Sequence, residues 1–224
     1  MHQITLRCVN IFLIVEEQLT LVDAGFRGSA PQIADYISSL GRSVKEVRLV
    51  IITHNHLDHV GGLPALKKMA PEAKVAVHRD DLSEDRNVMP YPGYVSRLLK
   101  LPPVSLFRPL VCLRPGDVDI KLTGGEVLPP LGGLKVMHTP GHTPGGISLY
   151  SPGKKLLVVG DMLNSRHRDI IPPSKMLSTD YPQAIDSVKR LAQIDFDVLC
   201  CGHGRPIAGG ASVRVRQWIE RRGL

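Results

Sequence analysis

The stretch THNHLDH occupies residues 53–59 and follows the apolar run VRLVII at residues 47–52. It places three imidazoles and a carboxylate within the six residues from His54 to His59, at the end of a predicted strand. Such groups are costly to bury without partners, because they lose their hydration. A divalent metal ion satisfies them, since neutral imidazole nitrogen and ionised carboxylate are zinc ligands. The stretch therefore predicts a metal site, and a histidine-rich surface loop is the alternative.

The composition of the 224-residue chain is that of an ordinary globular protein, with 43% hydrophobic and 22% charged residues. This length can bury one sizeable core, so we expect a single domain over residues 1–224. The formal net charge of +7 favours a small anionic substrate and makes nucleic acid a weaker candidate partner. A solvated basic surface without a specific role is the alternative. The pattern does not fix the oligomeric state, and a homodimer is one option.

The cysteine pattern and the distribution of apolar segments indicate the subcellular location of the protein. The four cysteines form no CxxC pair, and Cys200-Cys201 ends an apolar run, which is typical of buried thiols in a reducing compartment. The sequence shows neither an N-terminal export signal nor an apolar run of about 18 residues that could span a membrane. We therefore expect a cytoplasmic protein with no membrane partner.

Apolar periodicity predicts strands and helices in two similar halves. The predicted strands are residues 11–15, 19–23, 48–53, 74–78, 126–128, 134–138, 147–150, 155–159 and 197–201. Helices are predicted after an N-cap at Ser29, from near Pro64, after a cap at Thr179 or Asp180, and at the end of the chain. This order predicts an α+β protein with two mixed sheets between helices, a four-layer αββα sandwich.

Residues 87–116 contain six prolines and interrupt this regular pattern. A long segment of this kind in a compact domain is typical of a lid or an interface, and a surface excursion that covers an edge of the core is the alternative. Tyr91 and Tyr94 in this segment are candidate substrate contacts. Arg166, His167 and Tyr181 are further candidates, although each of the five also has a purely structural interpretation.

Three more residues with metal-binding side chains lie where predicted strands end. His142 lies in TPGHTPGG at residues 139–146, Asp161 follows LLVVG at residues 156–160, and His203 lies in CGHG at residues 201–204. Strand ends are rigid and hold ligand geometry well. Each residue alone could be an ordinary loop histidine or turn former, but their combination with the first stretch predicts one shared metal centre.

This pattern resembles the metallo-β-lactamase-fold superfamily. The matching residues, in the order of the family, are Asp23, His54, His56, Asp58, His59, His142, Asp161 and His203. The resemblance implies the αββα sandwich and two divalent ions per chain, zinc by default with iron or manganese as alternatives. It assigns one ion to His54, His56 and His142, the other to Asp58, His59 and His203, and a bridging role to Asp161. Asp23 would orient a ligand or loop from outside the metal shell.

The resemblance also implies a reaction. Two ions about 3.5–4 Å apart can share a water, lower its pKa and deliver hydroxide. Asp58 would be the catalytic residue that accepts a proton from this nucleophile. The motifs TPGHTPG and GHG are most similar to those of glyoxalase II-like and lactonase-like hydrolases. We therefore expect a binuclear hydrolase of an ester, thioester, lactone or phosphodiester.

Differences between this sequence and the motifs of other subfamilies reduce the number of candidate functions. His56 replaces the glutamate of flavodiiron reductases, and His59 replaces the arginine of the commonest β-lactamases of this fold. Only 21 residues follow His203, so the glutathione-binding domain of full glyoxalase II is not expected. The remaining alternatives are a mononuclear iron sulfur dioxygenase, an RNA-processing nuclease of the same fold, and a non-catalytic metal-binding or nucleic-acid-binding module.

Overall fold

The computed structural model describes residues 1–84, 91–98, 101, 113–167 and 169–224. Most of the proline-rich segment at residues 87–116 lies outside this part of the chain, so its interpretation as a lid stays a prediction. The described part of that segment includes a short helix, Gly93–Leu98.

Fourteen strands and six α-helices follow one another in the described residues. The strands are β1 His2–Leu6, β2 Val9–Val15, β3 Leu19–Val22, β4 Val47–Ile51, β5 Lys74–His78, β6 Ile120–Leu122, β7 Val127–Leu128, β8 Leu134–His138, β9 Ile147–Ser151, β10 Leu156–Val158, β11 Asn164–Arg166, β12 Asp169–Ile171, β13 Val198–Cys200 and β14 Ile207–Ala208. The helices are α1 Ser29–Ser39, α2 Leu57–Val60, α3 Leu63–Met69, α4 Gly93–Leu98, α5 Tyr181–Leu191 and α6 Ala211–Arg221.

Twelve of the strands form two sheets of six, ordered β1-β2-β3-β4-β5-β6 and β14-β13-β10-β9-β8-β7. In the first sheet β1, β2 and β3 pair antiparallel, whereas β3 through β6 pair parallel. In the second sheet only β10 and β13 pair parallel. The prediction of two mixed sheets is confirmed.

The two sheets pack face to face because their strands are apolar on both sides. Along β2, Phe12 and Ile14 point into the layer between the sheets, while Ile11 and Leu13 point to the outer face. Successive side chains of a strand point to opposite faces, so a continuous apolar run requires cover on both. Leu149 and Val158 of the second sheet close the central layer.

Helices cover the outer face of each sheet. Ile33 and Ile37 of α1 and Leu66 of α3 share a core cluster with the first sheet. Val188 and Leu191 of α5, together with Val215 of α6, do the same on the second sheet, and other members of each cluster extend these contacts. The order of the layers is therefore helix, sheet, sheet, helix, as predicted. Nowhere among the described residues is a helix both long and apolar enough to cross a bilayer.

The predicted N-cap of α1 was wrong. Ser29 is the first residue of α1, and the residue before the helix is Gly28, whose φ of 90° is in the left-handed region. Gly61 and Gly62 form the turn between α2 and α3, and both have right-handed helical backbone angles. Glycine is required at position 62 for space, because a Cβ atom there would lie 2.1 Å from the carbonyl oxygen of Ala24.

Strands without a clear sequence signal were missed. The edge strands β1, β6 and β14 and the hairpin β11–β12 are among them. Apart from β1, these strands have only two or three residues, too few for periodicity to identify them, and they form because a neighbouring strand offers unpaired backbone groups.

Candidate metal centre

The predicted ligands all follow strands at the same edge of the sandwich. Parallel strands β3, β4 and β5 of the first sheet end together, and so do β10 and β13 of the second. A backbone hydrogen bond from Ile147 N to Thr53 O at 2.9 Å joins the two sheets at this edge, and one from Gly202 N to Gly160 O at 2.7 Å joins the two ligand loops of the second sheet. Ligand loops from distant parts of the sequence therefore meet where carboxyl ends of strands converge.

Close packing at this edge excludes side chains from some positions. A Cβ atom at Gly202 would lie 2.3 Å from Asp161 Oδ1 and 2.9 Å from His59 Cε1. The glycine next to His203 is thus required by the proximity of Asp161 and His59.

The first group of donors consists of His54, His56 and His142. Their ligand atoms lie within 4.8 Å of one another, and all three residues are buried. His142 Nε2 lies 3.1 Å from His56 Nδ1. Two nitrogens on one zinc ion are about 3.3 Å apart at tetrahedral geometry and ordinary Zn–N distances. The group therefore has the spacing of ligands that share an ion.

The second group consists of Asp58, His59 and His203, whose ligand atoms also lie within 4.8 Å of one another. His203 Nε2 is 3.2 Å from Asp58 Oδ2, and His59 Nε2 is 3.7 Å from the same oxygen. The side chains of Asp58 and His203 are 23% and 26% exposed, so this group opens toward solvent.

Asp161 lies between the two groups. Its Oδ2 atom is 3.6 Å from His142 Nε2 and 3.3 Å from His203 Nε2. Its Oδ1 atom is 3.4 Å from His59 Nε2. One carboxylate thus faces donors of both groups, which is the position that the bridging role requires. The binding of two ions by these residues stays a prediction.

The hydrogen bonds of the imidazoles fix which nitrogen is available. His59 Nδ1 lies 2.8 Å from Asp23 Oδ2, and His203 Nδ1 lies 2.5 Å from the carbonyl oxygen of Cys8. Each Nδ1–H donates to an oxygen, which leaves Nε2 facing the centre. His54 follows the same pattern, because its Nδ1 is 3.1 Å from the Thr53 hydroxyl, whose own hydrogen bonds Asp23.

This pattern fits a metal on chemical grounds. Metal-ligating histidines normally donate their other ring N–H to a carboxylate or carbonyl oxygen. His54 Nε2 and His59 Nε2 are buried and make no hydrogen bond within the described part of the chain. A buried imidazole nitrogen that makes no hydrogen bond is costly, and a divalent cation would satisfy it. The donors form a site for divalent metal ions.

Electrostatics separate the two groups further. Burial, together with the neighbouring imidazoles, holds the pKa of His54 well below its usual range, and burial lowers the pKa of His142. Burial also acts to lower the pKa of His203, but hydrogen bonds to Asp161 and Asp58 overcome it and raise this pKa to about 10. The pKa of His59 is raised well above its usual value for a similar reason, since the charges of Asp23 and Asp161 outweigh burial.

Two buried side chains that support the ligand loops were missed by the sequence analysis. Asn10 donates through Nδ2 to the carbonyl oxygens of Cys201 and Gly204, at 2.9 and 2.7 Å, and so holds the loop of His203. Asp81 contacts the loops of His56 and His142. No sequence pattern indicates a role for Asn10, whereas Asp81 lies shortly after a buried strand, as the predicted ligands do.

The candidate substrate contacts differ in position. The Tyr91 ring stacks on His56 with 4.1 Å between centroids, and its hydroxyl oxygen accepts from Leu57 N at 3.0 Å. Tyr94 is 54% exposed on α4. Arg166 ends β11, His167 follows it with a positive φ of 51°, and Tyr181 begins α5. Contact of these five residues with substrate stays a prediction.

A further set of donors, His78, Asp80 and His138, lies apart from this centre. The rings of His78 and His138 are stacked, with 4.0 Å between centroids and 14° between planes. An ion in the plane of one ring would therefore lie outside the plane of the other, where the second nitrogen has no lone pair. This stacked pair is not arranged to chelate a metal.

Comparison with curated proteins finds relatives along most of the chain. The uncharacterized protein YobT of Bacillus subtilis (strain 168) is 29% identical, and the match covers 95% of this chain and 90% of YobT. A hydroxyacylglutathione hydrolase of Rhodopseudomonas palustris (strain BisA53) is 29% identical over 78% of this chain and 55% of that enzyme. The acyl-coenzyme A thioesterase MBLAC2 of Gallus gallus is 33% identical over 69% of this chain and 57% of that enzyme.

Comparison with solved structures supports the same fold. The crystal structure of the metallo-beta-lactamase family protein TTHA1429 from Thermus thermophilus matches with a TM-score of 0.74 and 24% identity. The match covers 96% of this chain and 74% of TTHA1429. The family model described as the metallo-beta-lactamase superfamily matches residues 4–203, from β1 to the last predicted ligand. The chain belongs to the metallo-beta-lactamase superfamily.

Proposed function

We propose that the protein is a hydrolase that uses two divalent metal ions, zinc by default, to cleave thioesters of anionic carriers. The observation that carries this proposal is the position of Asp161 Oδ2, within 3.6 Å of His142 Nε2 and 3.3 Å of His203 Nε2. A carboxylate between two donor groups supports two neighbouring ions with a common ligand. His54, His56 and His142 would hold one ion, and Asp58, His59 and His203 the other.

When bound, the ions would supply a water of lowered pKa and positive charge to stabilise the developing oxyanion. The residues of the chain have separate tasks around this chemistry. Asp23 keeps His59 in the orientation that presents Nε2, through its hydrogen bond to Nδ1. Asp58 has a carboxylate that is both close to the donors and open to solvent, so it can accept a proton and pass it to the leaving group.

Two considerations favour a thioester over a lactone or a phosphodiester. A hydroxyacylglutathione hydrolase and an acyl-coenzyme A thioesterase are among the relatives, and the reactions in both names concern thioesters. The chain also carries a formal net charge of +7, and the coenzyme A carrier is anionic. A positive surface field raises the rate at which anionic substrates are captured.

The test is a substrate panel on protein stripped of metal and reloaded with zinc. The panel contains a short-chain acyl-coenzyme A, an S-acylglutathione, an aliphatic lactone, a chromogenic phosphodiester and a structured RNA. We expect kcat/KM for one of the thioesters to exceed that for the lactone and the phosphodiester by at least about tenfold. Added salt should lower kcat/KM, because the substrate is anionic.

Asp58→Asn and Asp80→Asn form the control pair, since Asp80 is an exposed aspartate outside the predicted ligand set. The first variant should lose turnover of the preferred thioester, and the second should behave as the wild type. Preference for RNA would overturn the proposal in favour of a nuclease. One iron per chain, with oxygen consumption on a persulfide and no hydrolysis, would overturn it in favour of a sulfur dioxygenase.

A further inference from the structure

A buried carboxylate outside the predicted ligand set connects two ligand loops. Asp81 ends the turn that follows β5 and is 5% exposed. Its Oδ2 atom accepts hydrogen bonds from Asn55 N at 2.9 Å and from Thr143 Oγ1 at 2.8 Å. Its Oδ1 atom accepts from Gly145 N at 2.6 Å. Three donors from two loops therefore converge on one side chain.

The positions of these donors relate them to the first group. Asn55 separates His54 from His56, and Thr143 follows His142. The side chain of Asn55 also donates through Nδ2 to the Asp81 carbonyl oxygen, at 2.9 Å. Asp81 thus forms hydrogen bonds with the loop of His56 and with the loop of His142. None of these hydrogen bonds involves a predicted metal ligand.

The contact between the loops is close as well as polar. A Cβ atom at Gly145 would lie 2.4 Å from Asp81 N and 2.9 Å from Asp81 Cγ. Only glycine leaves room for this approach. The turn after β5 and the loop between β8 and β9 are therefore closely packed together.

The chemistry of position 81 is specific. An ionised carboxylate only accepts hydrogen bonds, and it can satisfy several N–H and O–H donors at once. An asparagine of the same shape would turn its NH₂ group toward either Gly145 N–H or the Asn55 and Thr143 donors. At least one buried donor would then lose its acceptor.

We propose that Asp81 is a positioning residue that sets the affinity of the first group of donors for its metal ion. By joining the loops of His56 and His142, it holds the 3.1 Å separation of His142 Nε2 and His56 Nδ1. The loop of His203 is held instead by Asn10, and His59 by Asp23. The inference rests on the proposed function in that His56 and His142 are taken as ligands of one ion.

The experiment compares stepwise zinc binding by the metal-free wild type, Asp81→Asn and Asp80→Asn, measured by competition with a chromophoric chelator. His56→Ala and His203→Ala identify which binding constant belongs to which group, since each variant loses one of them. We expect Asp81→Asn to weaken the constant of the first group by about 10–100-fold, the usual effect of losing an outer partner of a ligand. The constant of the second group should change less than about threefold, and Asp80→Asn should match the wild type.

Two further measurements keep the test decisive if Asp81→Asn folds poorly. Thr143→Val removes one of the three hydrogen bonds and should give a smaller loss in the same constant. In metal-free Asp81→Asn, hydrogen exchange at the Asn55 and Gly145 amides should be faster than in the metal-free wild type, because both amides lose or weaken their acceptor.

Unchanged constants in Asp81→Asn, or equal losses in both constants, would overturn the inference. A wild type that binds two ions but hydrolyses no thioester would overturn the proposed function and leave the inference standing. A wild type that binds no metal would overturn both.

Discussion

The first and second groups of donors form the two halves of the candidate metal centre. These halves consist of similar residues but have opposite electrostatic character. His54, His56 and His142 are each 2% exposed, and burial lowers the pKa of His54 and of His142. In the other half, carboxylates raise the pKa of His59 and His203. At pH 7 and without metal, His54 and His142 of the first half are therefore neutral, whereas the histidines of the second half form a network of ion pairs with carboxylates.

This difference predicts different costs of metal binding. A metal ion binds neutral imidazole, so a histidine that is already neutral gives up no proton. His59 and His203 must each lose a proton before they can bind an ion. Their ion pairs with Asp161 and Asp58 are then replaced by contacts of these carboxylates with the ion. Similar ligand residues therefore need not have similar affinity for a metal ion, because burial and neighbouring carboxylates set their protonation.

The largest effect is expected where the two halves meet. Asp161→Asn keeps the shape of the side chain but removes the charge that faces His142, His59 and His203. We expect both binding constants to fall and turnover of the preferred thioester to drop by at least about 1,000-fold, beyond the 10–100-fold typical of outer partners. Elemental analysis and steady-state kinetics measure these changes.

Asp169→Asn is the matched control, because Asp169 is exposed on β12. It should retain metal and turnover. Loss of only one ion in Asp161→Asn, with the other constant intact, would show that Asp161 belongs to one half alone.

The second prediction concerns protons released on metal loading. The pKa of His203 is raised to about 10 and that of His59 is raised well above its usual value, so we expect both side chains to be protonated at pH 7 without metal. Loading of the second half should release up to two protons, and its affinity should rise up to about tenfold per pH unit for each proton until pH passes these pKa values. The first half should release none from His54 and His142.

Calorimetry in two buffers of different ionisation enthalpy counts the released protons at each step. His203→Ala is the control, because it removes a ligand of the second half and should abolish the second binding step together with its proton release. Equal proton release in both steps would contradict the electrostatic difference between the halves.

The smallest effect is expected at Tyr91, whose ring covers His56 of the first half. Tyr91→Phe keeps the ring that stacks on His56 but removes the oxygen that accepts from Leu57 N. We expect a loss of about 1 kcal/mol in the free energy of unfolding and less than about a tenfold change in kcat/KM. Tyr94→Phe, at an exposed position on the same segment, should change neither quantity.

A drop of 100-fold or more on Tyr91→Phe, with binding constants unchanged, would support the sequence-based assignment of Tyr91 as a substrate contact. The measurements are denaturant unfolding of the metal-free proteins and kinetics of the zinc-loaded ones.

Much of the fold followed from local patterns. Long apolar runs such as β2 and β4 and the amphipathic helix α5 were predicted, because each carries its own periodicity. Short strands such as β6 and β14 were missed, since two or three residues pair only when a neighbour is already in place.

The same division applies to the metal centre. The types and the order of the donors could be predicted from the sequence alone, because each residue type fixes which ligand atom a side chain offers and predicted strand ends indicate where such groups gather. Only the tertiary structure decided the role of Asp81 and Asn10, which bond loops far away in the chain. It also decided which histidines are neutral and which are charged, because burial and the approach of Asp23, Asp58 and Asp161 exist only after the two sheets have packed.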